Sequence, residues 1–163
     1  MLKKITYLAA LFAIAGIAQA DELVTDGVDA KGTPKGWIVY GKGPGTLTVE
    51  NKMIHVTDLS DKNEWGLRKV LPLTKAGKYT FTLDASCTVA GAQMVAVVTP
   101  DGKKSKVIGI KQVPATGAAD KFQKTAFTVE VPEGCNRLVF HIYSKYEPKA
   151  DFIIRSVDFA PAE

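Results

Sequence analysis

The side chains in this chain that could do chemistry are few, and their spacing argues for binding rather than catalysis. There are two histidines, His55 and His141, and neither accompanies a nucleophile motif; no G-x-S-x-G turn occurs. Cys87 with His141 would be a nucleophile–base pair, but Cys87 ends a strand-like run and has a possible disulfide partner. Hydrolysis by paired carboxylates needs two acids held about 5–10 Å apart across a cleft. No motif holds Glu50, Glu64 and Asp84 in that relation. Phosphate-loop and dinucleotide fingerprints are absent, and two cysteines with two histidines do not fall at zinc-ligand spacing. The sequence therefore predicts no enzyme, no catalytic residue, no cofactor and no metal. What it offers is a set of rings and hydrogen-bonding groups: Trp65, Arg68, Asp84, His141, Tyr143 and Tyr146.

These residues need strands to position them. From Lys78 to Ala85 the chain alternates, with Tyr79, Phe81, Leu83 and Ala85 on one face and Lys78, Thr80, Thr82 and Asp84 on the other. In the segment from Trp65, alternation sets Trp65, Leu67 and Lys69 against Gly66, Arg68 and Val70. Trp65 thus shares a face with Leu67 and is either core or a ligand contact, while Arg68 looks outward. Further on, Leu138, Phe140 and Ile142 form a core face, leaving Val139, His141 and Tyr143 on the other. If these strands lie in one sheet, His141 and Tyr143 share an open face with Thr80, Thr82 and Asp84. Tyr146 falls just beyond, in a loop with Lys145 and Glu147.

The remaining chain repeats this style. Ten short β-rich runs are separated by turn chemistry such as Gly43-Pro44-Gly45, Glu50-Asn51, Ala76-Gly77, Pro100-Asp101-Gly102 and Pro132-Glu133-Gly134. No helical period of useful length follows the first twenty residues, and no linker splits the chain. The pattern predicts an all-β, antiparallel β-sandwich, with Pro114 to Asp120 as a surface loop. Before it, Lys3 and Lys4, an apolar run from Ile5 to Ile17 and Ala18-Gln19-Ala20 read as a cleavable signal peptide over residues 1–20. The run is shorter than the roughly 20 residues a membrane span needs. The expected mature domain is 21–163, secreted or periplasmic, with a charge of +2 in place of +4 once the two signal lysines are removed.

The lysines are dispersed, and the cluster at Lys103, Lys104 and Lys106 reads as a solvated hairpin tip, so a nucleic-acid partner is not expected. Cys87 and Cys135 would, if bonded in an oxidising compartment, close a loop of about 48 residues and stabilise the fold by roughly 4 kcal/mol. Two reduced, buried thiols are the alternative.

Several segments carry a resemblance. The opening ELVTDGVDAKGTPKGW (Glu22 to Trp37), Trp65-Gly66-Leu67 with AGKYTF from Ala76 to Phe81, FTVEVPEGCNRL (Phe127 to Leu138) and DFIIRSVDF (Asp151 to Phe159) fall in order along the chain. Together they resemble the galactose-binding-like jelly-roll domains that serve as carbohydrate-binding modules. That resemblance implies a jelly-roll sandwich and a glycan partner on the open face of one sheet; the contacts that alternation offers for it are Trp65, Arg68, Asp84, His141, Tyr143 and Tyr146. Arg155 stands where many such modules place a calcium-binding Asp, and the leftover Asp21, Asp26 and Asp158 are scattered, so no calcium is expected. A fold of this kind also serves purely structural roles. A domain that binds an envelope protein and no sugar is the alternative.

Overall fold

The computed structural model describes residues 27–60, 62–73, 75–88, 92–99, 104–144 and 150–162. The expected signal peptide and Tyr146 lie outside them. Ten strands follow one another: β1 (Ile38–Gly41), β2 (Gly45–Glu50), β3 (Met53–Asp58), β4 (Trp65–Pro72), β5 (Gly77–Cys87), β6 (Ala92–Val98), β7 (Lys106–Gln112), β8 (Gln123–Val131), β9 (Arg137–Ser144) and β10 (Asp151–Pro161). They match the ten β-rich runs of the sequence. The β2–β3 hairpin illustrates why. Glu50 pairs with Met53, and both residues between them, Asn51 and Lys52, have positive φ (52° and 65°). A two-residue turn of this kind matches the right-handed strand twist, and Asn is among the residues that tolerate it best.

The strands form two five-stranded antiparallel sheets, ordered β1-β4-β9-β6-β7 and β2-β3-β10-β5-β8. Their inner faces share one apolar core, in which Phe81 of β5 stacks on Phe140 of β9 with ring centroids 4.3 Å apart. Leu67, Leu138 and Ile142 from the first sheet meet Ile54, Leu83, Ile154 and Val157 from the second. The architecture is a β-sandwich, as alternation predicted.

Trp65 belongs to this core. It is 6% exposed, and its indole lies against Gly45 of β2, where any Cβ would collide with the ring. Its placement as a ligand contact is corrected accordingly: a ring that fills the gap between the sheets presents no face to a ligand. Trp37 is also buried.

Two further expectations change. Asp84 lies on β5 and faces outward from the second sheet, whereas Arg68, His141 and Tyr143 lie on β4 and β9 of the first. The sandwich therefore puts Asp84 on the opposite side of the molecule from the other three. Its carboxylate is buried and paired with Arg155, whose Nε and Nη2 both donate to Oδ2 at 2.9 and 2.7 Å. The Arg155 guanidinium also lies 4.3 Å from the Phe122 ring. The expected disulfide is likewise not formed: Cys87 and Cys135 are both buried and are not bonded to each other. Cys135 follows β8, whose last residue Val131 pairs with Gly77 at the start of β5, while Cys87 ends that 11-residue strand. At strand rise the two thiols sit about 33 Å apart along the sandwich, far beyond the roughly 7 Å that a disulfide allows between Cα atoms.

The expected loop from Pro114 to Asp120 contains no strand. It is fastened to the end of β5 by Thr116, whose hydroxyl accepts from Cys87 N (3.0 Å) and whose N donates to Cys87 O (2.7 Å).

Candidate functional site

Strand register assembles the outer face of the first sheet into rows. One row runs Tyr40, Gly66, Tyr143, Gln93, Gln112; the next runs Ile38, Arg68, His141, Val95, Ile110. A third, Val70, Val139, Val97 and Val107, is wholly aliphatic. Opposed residues in antiparallel strands hold their Cβ atoms about 4.5–5.5 Å apart, so each row is a continuous strip of side chains. Gly66 is required where it stands. A Cβ there would strike the Ile142 carbonyl and the Tyr143 side chain, so its absence lets Tyr143 lie close to the sheet.

The centre of the face is aromatic. The Tyr40 ring meets His141 edge-on at 4.6 Å and Tyr143 at 5.2 Å, and its hydroxyl donates to Glu64 Oε2 at 2.9 Å. Around these rings three buried polar atoms have no hydrogen-bond partner among the described residues: Arg68 Nε, His141 Nδ1 and Gln93 Oε1. His141 and Gln93 are only 8% and 9% exposed. Buried polar groups are nearly always satisfied, and each exception costs about 1–3 kcal/mol unless a ligand or water completes it. Of six such atoms among the described residues, these three lie in two adjacent rows of this face, while His55 Nε2, Asp84 Oδ1 and Thr125 Oγ1 belong to three strands of the second sheet. Burial, and secondarily the Arg68 charge across the strand pair, lower the His141 pKa from 6.5 to about 4. The imidazole is therefore neutral near pH 7 and offers hydrogen bonds instead of charge.

At the β1 side the face opens into a cleft of about 590 Å³, lined by Tyr40, Lys42, Lys62, Asn63, Glu64 and Arg68 among others. That volume lies within the range of small-molecule sites. A second hollow of about 240 Å³ lies on the outer face of the other sheet, bordered by His55, Ser86, Thr88 and Asp151. Among the described residues no tyrosine or tryptophan lines it.

Of the six contacts expected from the sequence, then, three come together: Arg68, His141 and Tyr143. Trp65 faces inward and Asp84 faces the far side. Tyr40 and Gln93 were not anticipated. β1 is only four residues long, too short for alternation to declare itself. In β6 both faces are largely apolar, so the period of two around Gln93 is hidden. Among the described residues no group of three or more His, Cys, Asp or Glu side chains could hold a metal ion, and no helix is long and apolar enough to cross a membrane.

No family model and no curated protein matches the sequence. Solved structures do match the fold. The CBM22-1 xylan-binding domain of Paenibacillus barcinonensis Xyn10C superposes with a TM-score of 0.59 over 88% of this chain and 97% of that one, at 16% identity. The module TmCBM61, solved with β-1,4-galactotriose, gives 0.53 over 81% and 92%, at 15% identity. The fold is that of the carbohydrate-binding-module sandwiches. The enzymatically active domain of tailspike protein 4 from bacteriophage CBA120 also matches, with a TM-score of 0.61 over 85% of this chain at 12% identity, but the chain spans only 21% of that protein. At such identities the likeness fixes the fold, and the ligand must be argued from the side chains of this sandwich.

Proposed function

We propose that the chain is an exported, non-catalytic glycan-binding domain, whose ligand lies across the outer face of the first sheet. The observation that carries this reading is the cluster of unsatisfied buried groups, Arg68 Nε, His141 Nδ1 and Gln93 Oε1, around Tyr40 and Tyr143. A pyranose matches such a surface. Its hydroxyls can donate to Gln93 Oε1 and accept from Arg68, and its apolar C–H face can lie on a tyrosine ring. One structural relative is a xylan-binding domain and another was solved with a galactotriose, which supports the class of ligand. The signal-like first twenty residues support export.

Catalysis draws no support from the face. Among the described residues Glu64 is the one carboxylate lining the cleft, and it accepts a hydrogen bond from the Tyr40 hydroxyl. Tyr143 is itself buried, so the half-buried Tyr40 is the ring left to stack on; one such ring with a few hydrogen bonds, set against the cost of association, corresponds to micromolar to millimolar binding.

A second reading, docking of an envelope protein, has its own observation. Val70, Val107 and Ile110 are 45%, 49% and 58% exposed on the same face. Affinity electrophoresis through gels containing soluble polysaccharides separates the two. Glycan binding gives retardation by at least one polysaccharide that is lost in Tyr40→Ala with Gln93→Ala. No retardation by any polysaccharide, with a protein partner captured in the presence of excess sugar, would favour docking.

A further inference from the structure

We propose that the glycan taken by this face is acidic, built of uronic or sulfated sugars, and that Arg68 receives its anionic group. This deepens the glycan-binding reading and rests on it. Two outward-facing arginines of the sandwich give the contrast. Arg155, on the second sheet, is 52% exposed in its side chain and still carries a counter-ion, with two of its nitrogens donating to Asp84. Arg68, on the first sheet, is half-buried, its Nε is shielded from water, and it has neither a hydrogen-bond acceptor nor an ion-pair partner among the described residues. A guanidinium removed from water without a counter-charge is disfavoured, and its planar fork suits a carboxylate or a sulfate.

Among the described residues the surroundings do not supply that counter-charge. Four charged side chains line the adjoining cleft, Lys42, Lys62, Arg68 and Glu64, and they sum to +2. The single acid among them already accepts from Tyr40. Across the strand pair from Arg68 stands His141, which is buried and neutral, so it neither competes for an anion as a cation nor repels one. A neutral sugar could give Arg68 Nε an acceptor but would leave the charge uncompensated. An acidic sugar does both, while Gln93 Oε1 and His141 Nδ1 remain free for its hydroxyls.

The test is affinity electrophoresis of the full mature chain in gels containing polygalacturonate, its carboxyl-reduced derivative, chondroitin sulfate, xylan or a mixed-linkage β-glucan. The variants are Arg68→Gln, Arg68→Lys and, as a control for net charge on the opposite sheet, Lys78→Gln, each checked for folding by circular dichroism. Retardation by polygalacturonate identifies a carboxylated ligand, and retardation by chondroitin sulfate with little response to polygalacturonate identifies a sulfated one. In either case Arg68→Gln should weaken binding by about 10–100-fold, the range of a charge-assisted hydrogen bond, and Arg68→Lys should restore it only in part. Lys78→Gln should change it less than threefold, because it lies far from the face and is screened.

Equal binding of polygalacturonate and its carboxyl-reduced form overturns the proposal, as does an Arg68→Gln variant that binds acidic polymers like the wild type. Retardation by xylan or β-glucan alone also overturns it, while leaving glycan binding intact. No retardation by any polymer removes the glycan-binding reading itself.

Discussion

His141 should make this sandwich acid-sensitive by an amount that can be worked out in advance. Its imidazole accepts a proton at pH 6.5 when unfolded and only at about 4 in the folded chain, chiefly because it is buried and secondarily because Arg68 lies across from it. The groups facing it are Arg68, the Tyr40 ring edge-on at 4.6 Å, and Tyr143, with Glu64 held by the Tyr40 hydroxyl. The unfolded chain therefore binds more protons than the folded one between pH 6.5 and 4, so stability rises with pH through that window. Above pH 6.5 the contribution is complete, and it is lost as pH falls towards 4. Linkage puts the loss at about 2 kcal/mol by pH 5 and about 3 kcal/mol by pH 4.

Other acids also titrate in that range, so the informative quantity is a difference. Urea unfolding at pH 7.5, 5.0 and 4.2 would be measured for the wild type and for His141→Gln, which keeps a neutral polar side chain of similar size. The stability of the wild type relative to the variant should fall by about 2 kcal/mol between pH 7.5 and 5.0. Parallel pH dependences for the two proteins would refute the reasoning. They would mean that the folded chain protonates His141 as readily as the unfolded one, and hence that the ring is solvated and not sequestered beneath Tyr40.

Three other outcomes follow from the packing. Trp65→Ala should cost about 3–5 kcal/mol in chemical denaturation, with glycan retardation preserved in whatever fraction remains folded. Arg155→Ala should strand the buried Asp84 carboxylate and lower stability by about 1–3 kcal/mol, without changing glycan affinity, because the pair lies on the other sheet. A thiol reagent should find two reactive cysteines in denatured protein and scarcely any in the native state, and reductant should leave the melting temperature unchanged.

What could be read from the sequence followed from local physics. Alternation in Lys78 to Ala85 and turns such as Ala76-Gly77 located the strands, since side-chain period and φ preference are properties of a few neighbouring residues. Alternation does not say which strands become neighbours. Arg68 and His141 share a face because β4 pairs with β9, while Asp84 is carried away because β5 pairs with β8 and β10. That partition is decided by long-range pairing across the core. The same limit applied to the cysteines, whose separation became evident only from the register of β5 with β8. The core role of Trp65 was already latent in its phase with Leu67. Tyr40 and Gln93 stayed hidden for lack of a readable period, one in a strand of four residues and the other between apolar neighbours.

The central claim is that the outer face of β1, β4, β9 and β6 holds the glycan. It is tested most directly by amide chemical-shift mapping of labelled residues 21–163, titrated separately with oligogalacturonate and with xylohexaose. At least one titration should perturb amides around Tyr40, Arg68, Gln93 and His141 and leave those around Thr82 and Arg155 unmoved. Shifts concentrated on the second sheet around His55 and Ser86, or no shifts with either oligosaccharide at millimolar concentration, would contradict it.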